Sequence, residues 1–153
     1  MKVFISVIIL LFFFSNLQAQ SPENQSKLNI DFVKFFEGIW VGEGQFSNGR
    51  KIEAEVSFKL SLDSCWLVYS HNDKAPNHYK AMSVWGIDKA TGKLLGYVFD
   101  NFQGHRLFIS NGWEQNMLLL TEKEFTPANG VIFQRFIYLK TGANKFKMSY
   151  EIS

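Results

Sequence analysis

Cysteine, proline and histidine are scarce in this chain, and each scarcity excludes something. A single cysteine among 153 residues rules out an intrachain disulfide, so no covalent staple supports the fold. Only three prolines are present. Pro76 and Pro127 fall between apolar segments, so the segments themselves are free to form ladders. Three histidines, His71, His78 and His105, leave few imidazoles for metal or acid–base work. Positive charge is scattered rather than clustered. The formal charge of +2 becomes about +1 without Lys2, which gives no electrostatic footprint for nucleic acid. No apolar run reaches the ~20 residues that a membrane-spanning helix needs.

What is present begins with a leader. Lys2 precedes Val3 to Phe14, which is apolar except for Ser6, and Leu17-Gln18-Ala19 offers a small residue for cleavage. Residues 1–19 are therefore expected to be a signal peptide, and the product periplasmic or secreted. Residues 20–28 are polar, contain Pro22, and are expected to form a flexible leader. Residues 29–153 are expected to form one domain, large enough to bury a core.

Within that domain, Asp31 to Glu37 carries Phe32, Phe35 and Phe36 at helical spacing, with Asn29 or Asp31 as N-cap and Gly38 as terminator. A short helix plugging one end of the fold is expected. From Ile39 onward the pattern is that of strands. Between Arg50 and Leu62, Ile52, Ala54, Val56, Phe58, Leu60 and Leu62 alternate with polar residues, which places the two sets on opposite faces. Lys145 to Ser153 repeats the alternation. Further strands are expected at Ser64–Asn72, His78–Asp88, Lys93–Asp100, Arg106–Ser110, Glu114–Glu124 and Val131–Thr141. Asn48-Gly49, Thr91-Gly92, Asn111-Gly112 and Asn129-Gly130 punctuate them. The expected class is all-β: an antiparallel meander of about nine strands closing into a β-barrel.

The motif Gly38-Ile39-Trp40-Val41-Gly42-Glu43-Gly44 resembles the opening strand of calycin barrels, namely lipocalins, fatty-acid-binding proteins and nitrobindins. Its fuller Gly-x-Trp-x-Gly-x-Gly form resembles nitrobindins and secreted bacterial lipocalin-like domains of unassigned function. Trp85 to Lys93 and Leu94 to Gly104 resemble a hairpin and the following strand of those domains. The resemblance implies a lipocalin-like barrel, with Gly38, Trp40, Gly42 and Gly44 as a structural motif. Two departures stand out. Nitrobindins ligate haem through a histidine near the C-terminus, whereas no histidine follows His105, so no cofactor is expected. Similar domains continue into a final hairpin, whereas this sequence stops at Ser153, which leaves either a barrel closed without that strand or an open edge.

No reaction signature stands out. His71, Asp73 and His78 bracket a polar loop and could ligate zinc, but the spacing fits a solvated rim better, and no metal is expected. Cys65 beside Trp66 reads as a buried, inert thiol in a strand, and no nucleophile elbow surrounds it or any serine. No catalytic residue is assigned. Glu53 and Glu55 read as solvent-facing. Aromatic residues make up 16% of the chain, with sixteen Phe, which suits a pocket for apolar ligands. The residues expected to line it are Phe58, Tyr69, Tyr79, Trp85, Phe133 and Arg135. Arg135 shares a face with Phe133 and Ile137; if that face is inward, its guanidinium calls for a carboxylate, as in fatty-acid-binding barrels, and the other choice turns it outward. The expected function is noncovalent binding of a small, largely apolar molecule, a carboxylate-bearing lipid being one form. The alternatives are an isomerase- or cyclase-type enzyme using the same pocket, and a protein-interaction module with a filled barrel and a C-terminal strand-pairing edge.

Overall fold

The computed structural model describes residues 27–122 and 133–153. The expected signal peptide, nearly all of the leader and the segment 123–132 lie outside the described residues. Among the described residues one helix, α1 (Ile30–Phe36), precedes ten strands: β1 (Gly38–Gln45), β2 (Lys51–Ser61), β3 (Trp66–Asp73), β4 (Lys80–Ile87), β5 (Leu94–Asp100), β6 (His105–Ser110), β7 (Trp113–Glu114), β8 (Met117–Glu122), β9 (Gln134–Gly142) and β10 (Lys145–Ile152). Asn29 caps α1, its side-chain oxygen accepting from the backbone N–H groups of Asp31 and Phe32 at 2.8 and 3.3 Å.

All strand pairings are antiparallel and follow chain order, β1-β2-β3-β4-β5-β6-β8-β9-β10, with β7 paired only to β8. Nine strands thus form a curled half-barrel meander, an architecture compatible with a calycin-like fold. The hydrogen-bonded path ends at β1 and β10. Side chains meet across that seam instead, Trp40 of β1 lying 4.8 Å from Phe146 of β10.

Three local differences from the sequence pattern have physical causes. Strand β2 ends at Ser61, because Leu62, Asp63 and Ser64 all take left-handed φ values of 48°, 55° and 68°. Leu62 is consequently exposed rather than part of the apolar face, and Cys65 lies in this turn, half-buried, rather than inside a strand. The strand expected from Glu114 to Glu124 is split into β7 and β8 by a turn in which Gln115 has φ 56°. At Asn48-Gly49 only Gly49 takes a positive φ, 82°; the Asn48 carboxamide contributes by accepting from the Arg50 N–H at 3.0 Å.

Directly opposed residues in a ladder share a face, so the register identifies the interior. Phe58 faces Tyr69, Tyr69 faces Ser83 and Ser83 faces Val98. On the far side, Leu120 faces Phe136 and Phe136 faces Tyr150. The core concentrates at the α1 end. Phe36 is fully buried at the centre of an aromatic cluster, 4.9 Å from Phe58, 5.3 Å from Trp85, 5.7 Å from Trp113 and 5.8 Å from Tyr138. Helix α1 therefore plugs this end, as its spacing predicts. Trp40 fastens the plug, its indole N–H donating to the Phe36 carbonyl at 2.7 Å.

A candidate ligand site at the polar mouth

Opposite the plug, the same inward faces change character. Strand β3 places Tyr69, His71 and Asp73 on one face by its two-residue period. The Tyr69 hydroxyl lies 2.7 Å from His71 Nδ1, and His71 Nε2 lies 2.7 Å from Asp73 Oδ1. This chain is dry: His71 is 6% exposed and the Asp73 side chain 1%. The second carboxylate oxygen, Asp73 Oδ2, is buried without a partner among the described residues.

A second polar chain lines the other wall. In β5 and the turn that follows it, Asp100 accepts from the backbone N–H groups of Phe102 and Gly104 at 3.0 and 2.9 Å and pairs with Arg106 Nη2 at 2.5 Å. Gly104 is required here, since a Cβ would overlap the Asp100 carboxylate. Arg106 Nη1 donates to the Tyr150 hydroxyl at 3.1 Å, and that hydroxyl in turn donates to Gln134 Oε1. Glu122, on the inward face of β8, leaves Oε2 buried and without a partner among the described residues.

Tyr79 stands between the two chains. Its ring lies 5.5 Å from that of His71 and stacks at 6.1 Å on Phe102, which is 70% exposed. Below Tyr79 is a cavity of about 30 Å³, lined by Tyr69, Tyr79, Ala81, Ser83, Trp85, Gly96, Val98, Phe108, Leu120, Phe136 and Tyr138. That volume admits about one water-sized molecule. Neither an extended acyl chain nor a macrocycle the size of haem fits a space of that size.

Burial sets the chemistry of the phenols. Desolvation holds Tyr69 well above the usual tyrosine range, reinforced by Tyr138, Tyr79 and Asp73. Desolvation raises Tyr138 in the same way. Tyr79 and Tyr150 are also raised by burial, with Arg106 opposing the shift in each. For Arg106, desolvation pulls downward but is outweighed by Tyr150, Tyr79 and Asp100, so its pKa is raised. Glu122 is raised by desolvation against the pull of Arg106. All four phenols are thus hydroxyls at neutral pH, suited to hydrogen bonding rather than to acting as bases.

Of the six side chains singled out from sequence, four converge. Tyr69, Tyr79 and Trp85 line the cavity, and Phe58 packs against Tyr69 and Trp85 at 4.9 and 5.4 Å. Arg135 and Phe133 lie elsewhere. The alternation that turns Gln134, Phe136 and Tyr138 inward turns Arg135 outward, where it bonds Glu151 at 2.8 Å and stacks on Phe133 at 4.7 Å. Of the alternative readings for Arg135, the outward one describes the fold. The zinc triad does not assemble: His71 and Asp73 bond each other, His78 is exposed, and no group of three metal-ligating side chains occurs among the described residues. Glu53 and Glu55 are exposed as expected.

The sequence pattern did not reveal Asp73, Ser83, Glu122, Gln134, Tyr138 and Tyr150 as one cluster. A signal existed for Asp73: Tyr69, His71 and Asp73 stand at i, i+2 and i+4, but ending the expected strand at Asn72 hid it. No family model and no curated protein sequence matches the chain.

Proposed function

We propose that the protein is an exported, lipocalin-like binding protein that holds a small ligand noncovalently at the polar mouth of the half-barrel. The observation that carries this reading is the asymmetry of the interior. Aromatic packing fills the α1 end, whereas buried hydrogen-bonding groups and the residual cavity gather at the other. Burying groups such as Asp73 and His71 costs free energy unless they are fully paired, and a core needed only for stability has no use for them. The cavity as it stands admits a water-sized molecule, so a single ring or a short chain needs Tyr79 displaced. Tyr79 lies in the connection between β3 and β4, and swinging it away adds a space the size of its own ring.

Binding is favoured over catalysis because burial holds the inward phenols protonated, Tyr69 among them although its hydroxyl bonds His71. A second reading has its own support: the outer edges of β1 and β10, unpaired among the described residues, present backbone groups to which a partner strand could add. Native mass spectrometry of the processed protein purified from its own host separates the two. Ligand binding predicts an added mass of a small molecule that is lost on denaturation; strand addition predicts a bare chain or a protein partner.

A further inference from the structure

The outer face of the sheet is apolar where the solvated side of an antiparallel sheet is ordinarily polar, a property independent of ligand binding inside. Opposed residues again define the face. One row runs through Val68, Val84, Tyr97 and Leu107 across β3 to β6. Beside it, Met82 opposes Phe99 and Leu95 opposes Ile109. On β8 and β9, Leu119 opposes Ile137 and Met117 opposes Leu139. Met82 and Phe99 are 48% and 47% exposed, and Tyr97, Met117 and Leu139 are exposed as well. Across β4, β5, β6 and β8, no charged side chain among the described residues of this face lies between Lys80 and His105 at the mouth end and Lys93 at the α1 end. Charge bounds the sector on both sides: exposed Glu53, Glu55 and Lys59 on β2, and the Arg135–Glu151 pair across β9 and β10. A lipid-facing barrel needs an apolar girdle all the way round, so these flanks favour a protein as the occupant.

Two parts of this face fit each other. Past Ile109 and Thr121 the pairing of β6 with β8 stops, and a groove of about 190 Å³ opens there, its lining including Ile109, Met117 and Leu119. Phe99 protrudes about 13 Å further along β5 toward the mouth, counted from Leu95 beside the groove. A two-fold axis perpendicular to the sheet between them turns the Phe99 ring of one copy onto the groove of the other. The reverse contact forms at the same time, which is the self-complementarity that a two-fold interface requires. Residues near such an axis meet their own copies, so a charged centre would repel itself; here the centre is Tyr97 and Leu107. The area agrees. At about 200 Å² for a large side chain, the exposed fractions on this face amount to roughly 700 Å², more than a typical monomer leaves in one patch and close to one partner's share of a stable interface. We propose that this face is the interface of a homodimer, two copies packing sheet on sheet with Phe99 of each seated in the groove of the other.

The test is sedimentation equilibrium of the protein from about 1 µM to about 1 mM, a range that covers weak association. A reversible monomer–dimer equilibrium is expected. Phe99→Glu and Met117→Lys should each weaken it about 1,000-fold, because each change occurs twice per dimer and a lost anchor at one contact is worth tens-fold. Both positions are exposed, so the far-UV circular dichroism should not change. Mixing the two variants should give a heterodimer at least about tenfold tighter than either variant with itself. One contact is then native, and the other brings the introduced carboxylate to the introduced ammonium. Glu55→Lys, on the charged flank, should leave the equilibrium unchanged. A protein that stays monomeric across the range overturns the proposal, and binding of that monomer to phosphatidylcholine vesicles would assign the face to lipid instead. A dimer indifferent to Phe99→Glu and Met117→Lys overturns it too, as does a mixture no tighter than its parts.

Discussion

Phe36, Gly86 and Asp73 each show how one side chain fixes its surroundings. Phe36 has no exposed surface and meets seven other aromatic rings within 6 Å. Phe36→Ala should cost about 3–5 kcal/mol, read as a lowered urea midpoint; a loss below about 1 kcal/mol would mean that α1 is not the plug described. Gly86 accepts the flat of Trp66, and a Cβ there would run into that indole ring. Gly86→Ala should therefore destabilise by about 1–3 kcal/mol, with Trp66→Leu restoring part of the loss in the double variant. The sequence made Trp85 and Tyr69 legible as pocket candidates through their aromatic bulk. Arg135 was not legible in the same way. Its strand is apolar on both faces, and only the pairing with Glu151 across β9 and β10 decides which face meets water.

At the scale of elements, α1 is short enough that its cap and its burial must do what length cannot. Asn29→Ala should lower stability by about 1 kcal/mol, whereas Asn29→Asp should leave it nearly unchanged; equal losses in both variants would contradict the capping role. Strand periodicity located nine of the elements within a few residues, since a period of two survives any tertiary context. It failed where the backbone turned left-handed without glycine, at Leu62 to Ser64 and at Gln115. Non-glycine residues carry little local signal for that conformation. The polar mouth escaped for a related reason. Its members come from β3, β4, β5, β6, β8, β9 and β10, and no stretch of sequence brings them together before the sheet curls.

The molecule as a whole is a half-barrel with one packed end and one polar end, and its response to alkali should reflect that. Tyr69, Tyr79, Tyr138 and Tyr150 have folded pKa values raised above the ~10 of an unfolded tyrosine. The folded state therefore binds those protons more tightly. The stability they contribute is fully present below about pH 10 and is lost as pH rises through the folded values. The urea midpoint should fall above about pH 10, with phenolate absorbance growing as the protein unfolds; full phenolate absorbance near pH 10 with native circular dichroism would contradict the burial of these rings. The central claim is that small molecules enter the half-barrel at its mouth, and it is tested most directly by an amide-resolved NMR titration of the protein with phenol. Saturable shifts confined to Tyr69, Ser83, Trp85, Val98, Leu120 and Tyr138, with the α1 end and the outer face unmoved, are the predicted result. Shifts confined to the outer face, or none that saturate, would contradict it.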